Sequence, residues 1–163
     1  MSLPADDLRR LAETVLARCR AKGWTLATAE SCTGGMVAAA LTDVAGASDV
    51  VERGFVTYSN RAKSELLGVP EELIAKHGAV SAETAAAMAE GALAKAPVDL
   101  AVAVTGIAGP SGGTKDKPVG LVYFGVARRG GKTLTERQFF NGGRADIRRA
   151  AAARALELLA ASG

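Results

Sequence analysis

Histidine is nearly missing from this 163-residue chain, which has only His77, and aromatic side chains make up just 4% of it. The first shortage takes away the usual proton acceptor of serine and cysteine hydrolases. The second removes the stacking platforms on which nucleic-acid-binding surfaces rely. Cysteine is limited to Cys19 and Cys32, a number and spacing from which neither a disulfide framework nor a metal cluster can be built, so both read first as reduced thiols. No run of about 18 apolar residues is present to span a bilayer. Residues 1–10 lack the basic-then-apolar order of a secretory signal, so a soluble cytoplasmic protein with no membrane partner is expected. The net charge of +3 is spread over mixed acidic and basic segments, which argues against a nucleic-acid partner and suits a small anionic substrate.

Alanine, by contrast, is plentiful, and it favours helices packed closely on a sheet over a core of large side chains. Leu8, Leu11, Ala12, Val15, Leu16 and Cys19 recur at helical spacing, with Pro4 before them and Gly23 after, and predict a helix over 5–21. Residues 24–30 predict a strand, and helical spacing resumes after a glycine turn from Thr33 through Met36, Val37, Ala40 and Leu41. A second strand is expected over 50–59 with Gly54 as a bulge, followed by a short helix over 61–67 capped by Asn60 and a turn over 71–77. Ser81 is a good cap for a helix over 82–95, and 99–106 has the continuous apolar character of a strand buried on both faces. Residues 106–118 are too rich in glycine and proline for regular structure and predict a site loop. Residues 120–129 and 132–140 form a hairpin around Gly130 and Gly131, and a last helix runs from Arg144 to about Ala160. The sum is one three-layer α/β/α domain over 1–163, with a mixed, mostly parallel sheet and a C-terminal antiparallel hairpin.

In such sheets ligands collect beyond the carboxyl ends of parallel strands, and three expected strand ends carry polar groups. These are Glu30 with Ser31, Tyr58 with Ser59, and Thr105 with Gly106. Ser31 falls where a strand gives way to a helix, so helix-start N–H groups and the helix dipole would favour an oxyanion there. Gly34 and Gly35 would let a ligand come close to the backbone. Taken alone, Ser31 and Thr33 read first as helix caps, and Cys32 is a rival nucleophile because a helix dipole lowers a thiol pKa. A serine needs a base, and His77 sits in a polar turn with no obvious carboxylate beside it. Lys63 is the better candidate, since a lysine desolvated beside a helix start can fall below its free pKa of about 10.4 and accept a proton; on a surface it would do nothing. Tyr58 can relay a proton, orient that amine or simply border the core. A buried Glu30 must have a partner, either a substrate group or Lys63. The loop with Gly109, Gly112 and Gly113 can cradle an anion but lacks the Gly-Lys-Ser/Thr ending of a P-loop, and Arg144 offers either a fork of donors to phosphate or a solvated side chain.

Four stretches in order, AESCTGG (29–35), TYSN..K (57–63), GAVSAETAAAMAEGA (78–92) and AVTGIAGPSGG...KPVGLVYFG (103–125), resemble the C-terminal domain of the competence-damage protein CinA. That family includes stand-alone nicotinamide-nucleotide amidohydrolases, and the resemblance covers roughly residues 8–160. It implies deamidation of nicotinamide mononucleotide to nicotinate mononucleotide and ammonia, so the expected partner is a small pyridine nucleotide. It also implies Ser31 as nucleophile, Lys63 as general base, Tyr58 as helper, and Thr105 and Gly106 in a substrate-facing loop. Glu30, Thr33, Gly34, Gly35 and Arg144 complete the expected substrate contacts, and no metal or organic cofactor is implied. The pyrophosphatase-like domain of longer relatives is expected to be missing, and its activity with it. Two departures stand out: Gly142, Gly143 and Arg144 replace a frequent Gly-Asp-Arg, and Ser111 replaces a glycine. The rival readings are a nucleotide-binding regulatory module without turnover and an amidase for another small carboxamide. The alanine-rich helices make a homodimer plausible.

Overall fold

The apolar run at 100–104 alternates large and small side chains, and that alternation builds two different cores. Leu100, Val102 and Val104 enter one, and Ala101 and Ala103 enter the other, because successive strand residues point to opposite faces of a sheet. The structure, a computed structural model, describes residues 5–162; Pro4, expected before the first helix, lies outside the described residues.

The elements are α1 (Ala5–Lys22), β1 (Leu26–Glu30), α2 (Met36–Thr42), a 3₁₀ turn (Ala47–Asp49), β2 (Val51–Val56), α3 (Asn60–Leu67), α4 (Glu71–His77) and α5 (Ala82–Lys95), then β3 (Leu100–Gly106), β4 (Leu121–Arg128), β5 (Leu134–Phe139) and α6 (Arg144–Ala161). The sheet order is β2-β1-β3-β4-β5. β1 is parallel to both β2 and β3, whereas β4 and β5 run antiparallel to their neighbours. Helices α1, α2 and α6 cover one face and α3, α4 and α5 the other, which is the expected three-layer α/β/α domain with a mixed sheet and a C-terminal hairpin. The chain leaves β1 for β2 on one side and later returns to β3 on the other. The carboxyl ends of β1 and β3 therefore flank a topological switch point, where open α/β sheets bind ligands.

The two faces differ in bulk. Toward α1 and α6 the sheet sends Leu26, Val122 and Phe124. Toward α5 it sends mainly alanines, which meet Met88, Ala89 and Ala92. The layers there are in close contact: a Cβ on Gly125 of β4 would lie 2.4 Å from the Ala85 carbonyl oxygen, and one on Gly91 of α5 would lie 2.0 Å from that of Leu67. The second approach seats α3 directly on α5.

Three local expectations are corrected. Residues 71–77 form a helix, not a turn: Glu71 and Glu72 in the first turn and Lys76 in the last complement the helix dipole, while Ile74 packs into the second core. The cap of α3 is Ser59, whose Oγ accepts from the Ala62 N–H at 3.0 Å, so Asn60 is helical and its side chain is left for other contacts. The irregularity in β2 falls opposite the Leu26–Ala27 step, while Gly54 pairs regularly with Thr28. Glycine is needed at 54 for space, since a Cβ would sit 2.8 Å from Thr28 Oγ1.

Gly91→Ala should lower stability by about 2 kcal/mol, even though alanine gains roughly 1 kcal/mol in helix propensity. Thermal unfolding would register a fall of about 5 °C. An unchanged or raised melting temperature would show that α3 and α5 have room to separate.

Candidate active site

The turn that follows β1 is fixed from three sides. The Ser31 N–H donates to the Val104 carbonyl at 2.9 Å, extending the β1–β3 pairing by one residue. Arg148, on α6, donates from Nε to the Cys32 carbonyl and from Nη2 to that of Thr33, each at 3.0 Å. Glu30, fully buried, accepts from Thr33 Oγ1 (2.7 Å) and the Val37 N–H (2.9 Å) through Oε1, and from the Ala38 N–H (2.9 Å) through Oε2. Its carboxylate thus caps α2 in place of a conventional N-cap side chain, because Gly35 at the cap has none.

This arrangement revises several expected roles. Glu30 meets neither Lys63 nor the cavity, and the α2 N–H groups at Val37 and Ala38 are occupied by it, so they do not face Ser31 as an oxyanion site. Thr33 is fully buried and bonded to Glu30. Gly34 and Gly35 adopt positive φ values of 59° and 103°, which shapes the turn and lets Arg148 pack against it. None of these four residues lines the cavity described below.

Lys63 stands one turn into α3 with only 1% of its surface exposed. Its Nζ lies 3.0 Å from Ser31 Oγ, 3.0 Å from the Thr57 carbonyl oxygen and 3.2 Å from that of Tyr58. Three acceptors match the three protons of an ammonium. They match a neutral amine equally well: two N–H groups donate to the carbonyls and the lone pair takes the Ser31 hydroxyl proton. Burial pushes the Lys63 pKa below its ordinary 10.5, which favours the second form.

Ser31 and Lys63 open on a cavity of about 220 Å³. Tyr58, Asn60, Thr105, Gly106 and Arg144 share it, with Ala79, Val80 and Ala108 as apolar wall. Thr105 is buried and its hydroxyl donates to the Ala79 carbonyl at 2.9 Å, tying the 78–81 segment over the end of β3. Gly106 is needed by the sheet as well as the cavity, since a Cβ there would lie 2.6 Å from Val122 Cγ2. Arg144 donates to the Gly109 carbonyl at 2.7 Å and to the Tyr58 hydroxyl at 3.1 Å. Tyr58 is 62% exposed at the mouth. Its phenol therefore belongs with Arg144, and it is the Tyr58 backbone carbonyl that orients the Lys63 amine.

Cys32 also borders the cavity, but burial pushes its thiol up to about 12, opposite to the expected lowering by a helix dipole. The reason is positional: α2 begins only at Met36 and its first N–H groups are taken. Cys19 is buried in the first core and also raised, chiefly by burial. His77 ends α4, outside the cavity, with Nδ1 3.6 Å from Glu83 Oε2. Sequence reasoning missed Asn60, read as a cap, and Arg148, which the four-residue step from Arg144 placed on the same helix face. Among the described residues no His, Cys, Asp and Glu side chains cluster as a metal site, and no helix is long and apolar enough to cross a membrane.

A three-layer α/β/α domain whose switch-point cavity pairs a buried lysine with a serine defines the class of protein. Residues 8–162 match the sequence model of the CinA C-terminal domain, and the chain belongs to that family. It is 52% identical over 154 residues to nicotinamide-nucleotide amidohydrolase PncC of Escherichia coli K12, covering 94% of this chain and 93% of that one. A putative competence-damage inducible protein of Symbiobacterium thermophilum is 50% identical over 165 residues, and the match covers 96% of this chain but 39% of that longer protein. Among solved structures, the competence/damage inducible protein CihA of Agrobacterium tumefaciens superposes with a TM-score of 0.94 at 49% identity, covering 99% of this chain and 98% of that one.

Glu30→Ala should cost about 3 kcal/mol by stranding two backbone N–H groups and the Thr33 hydroxyl in the core, with Glu30→Gln intermediate. Urea unfolding midpoints test this order. Equal midpoints for wild type and Glu30→Ala would remove the capping role.

Proposed function

We propose that the protein hydrolyses the carboxamide of nicotinamide mononucleotide to give nicotinate mononucleotide and ammonia. The observation that carries this reading is the 3.0 Å contact between Lys63 Nζ and Ser31 Oγ inside the cavity of a chain 52% identical to a named nicotinamide-nucleotide amidohydrolase. At about 220 Å³ the cavity is smaller than the roughly 300–1,000 Å³ of drug-sized ligand sites. That suits a ring carboxamide held inside, with the ribose and phosphate toward the mouth.

In this reading Lys63 takes the Ser31 hydroxyl proton as Oγ bonds to the carboxamide carbon. The Cys32 N–H, on the residue that follows Ser31 and borders the cavity, is the backbone donor for the oxyanion, in place of the α2 N–H groups that Glu30 occupies. The protonated Lys63 then gives its proton to the departing nitrogen as the C–N bond breaks. Water, deprotonated by the same amine, cleaves the acyl ester and restores Ser31. Arg144, at the mouth, is placed to receive the phosphate, since its two observed bonds leave three of its five N–H donors free. Tyr58 serves by holding Arg144 and by presenting its carbonyl to Lys63.

The protein mixed with nicotinamide mononucleotide should release ammonia, and Ser31→Ala and Lys63→Met should each lower kcat by about 10³-fold or more, with little further loss when combined. Binding without ammonia release would favour a regulatory module. Release from other carboxamides alone would favour a different amidase.

The rate should rise with pH as Lys63 loses its proton, because only the neutral amine accepts one from Ser31. Burial places the midpoint of kcat/KM below the ordinary lysine value of 10.5. A rate that falls across that range, or a profile unaltered in Lys63→Met, would remove the amine from the mechanism.

A further inference from the structure

The basic side chains that border the Ser31 cavity are Lys63 and Arg144, and no carboxylate among the described residues joins them. Glu30, next to Ser31 in sequence, has both oxygens committed to the α2 cap. The elements packed about Lys63 supply no counter-charge either. On α3, Arg61 and Glu65 pair with each other at the surface. On α4, Glu71, Glu72 and Lys76 are exposed, and His77 lies toward Glu83 of α5. Elsewhere on α5, Glu90 accepts from Thr133 and Lys95 is exposed. β3 has no ionisable side chain. The Tyr58 phenol is with Arg144, and the neighbouring Cys32 thiol, pushed up to about 12, is uncharged near neutral pH.

Into this setting the proposed substrate brings a second permanent positive charge. A nicotinamide nucleotide carries its charge on the ring nitrogen, about 4 Å from the carboxamide carbon by bond lengths. Attack requires that carbon to come within about 3–3.5 Å of Ser31 Oγ. Lys63 Nζ is 3.0 Å from the same oxygen, so the ring charge arrives within roughly 6–9 Å of the amine. With an effective dielectric constant of about 20–40, a like charge at that distance disfavours the ammonium by on the order of one pH unit.

We propose that the pyridinium charge of the substrate itself drives Lys63 into its uncharged form, so that the enzyme senses ring charge through its base and favours oxidised over reduced, neutral-ring nicotinamide nucleotides. The inference rests on the substrate class given under the proposed function. On binding, the proton leaves Lys63 for solvent, and the lone pair it vacates is the one aimed at the Ser31 hydroxyl. Specificity then arises without any dedicated contact to the ring nitrogen. The phosphate acts in the opposite sense, toward the ammonium, but it is common to both redox forms and drops out of the comparison.

The experiment counts protons released on binding to Ser31→Ala, which cannot form the acyl-enzyme. Titration calorimetry is run in buffers of different ionisation enthalpy, near the pH midpoint of the wild-type kcat/KM profile. Oxidised nicotinamide mononucleotide should release about 0.4 of a proton more than its dihydro form, the difference expected at that pH from a shift of about one unit. That excess should vanish in Ser31→Ala/Lys63→Met. Equal release by the two nucleotides, or an excess that survives removal of the amine, overturns the inference. If wild type still liberates ammonia from the mononucleotide, only this inference falls; failure of the oxidised nucleotide both to bind and to turn over overturns the functional reading with it.

Discussion

One buried amine organises this molecule. Lys63 has almost no contact with solvent, yet each of its three hydrogen-bonding directions ends on an oxygen: Ser31 Oγ and the carbonyls of Thr57 and Tyr58. An isolated ammonium in such a place would be strongly disfavoured, and even a neutral amine there needs acceptors for its N–H groups. The segment after β2 therefore has to present two carbonyls inward, α3 has to sit close against α5, and the turn after β1 has to hold Ser31 in register with β3. The chain meets these demands with the Ser59 cap, the Gly91 contact and the Ser31–Val104 hydrogen bond.

The groups that hold the Ser31 turn are separate from those that face the cavity. Glu30 and Arg148 grip the turn from opposite sides, one through N–H groups and a hydroxyl and the other through carbonyls. Neither lines the cavity. An acid in the strand end and a base one helical turn beyond Arg144 thus serve as scaffolding, and Glu30, which looks reactive in sequence, is withheld from the cavity. Cys32 follows the same logic: burial keeps it a neutral thiol and leaves Ser31 as the hydroxyl next to the amine.

The order of helices and strands was legible because long periodic segments such as α1, α5 and α6 carry strong patterns, and because the unbroken apolar run of β3 marks a strand covered on both faces. The short α4 was not, since seven residues hold too few turns to show a period, although the acidic start and basic end were present. Ser31, Lys63, Thr105 and Arg144 could be nominated from strand ends and residue chemistry, and the structure brings all four to one cavity. Glu30 could not be assigned, because whether a buried carboxylate faces a ligand or a helix end depends on a rotation that no local pattern records. Asn60 escaped for a related reason: Ser59 and Asn60 are both competent caps, and only the three-dimensional path of the chain selects between them.

The thin alanine and glycine layer between the sheet and α5 acts as a spacer of fixed gauge. Ser31 is carried by the sheet side of that spacer and Lys63 by the helix that rests on its far side. Any bulk inserted between them widens the distance from the Ser31 hydroxyl to the Lys63 amine. The separation of those two side chains is thereby set by small residues that do not themselves line the cavity.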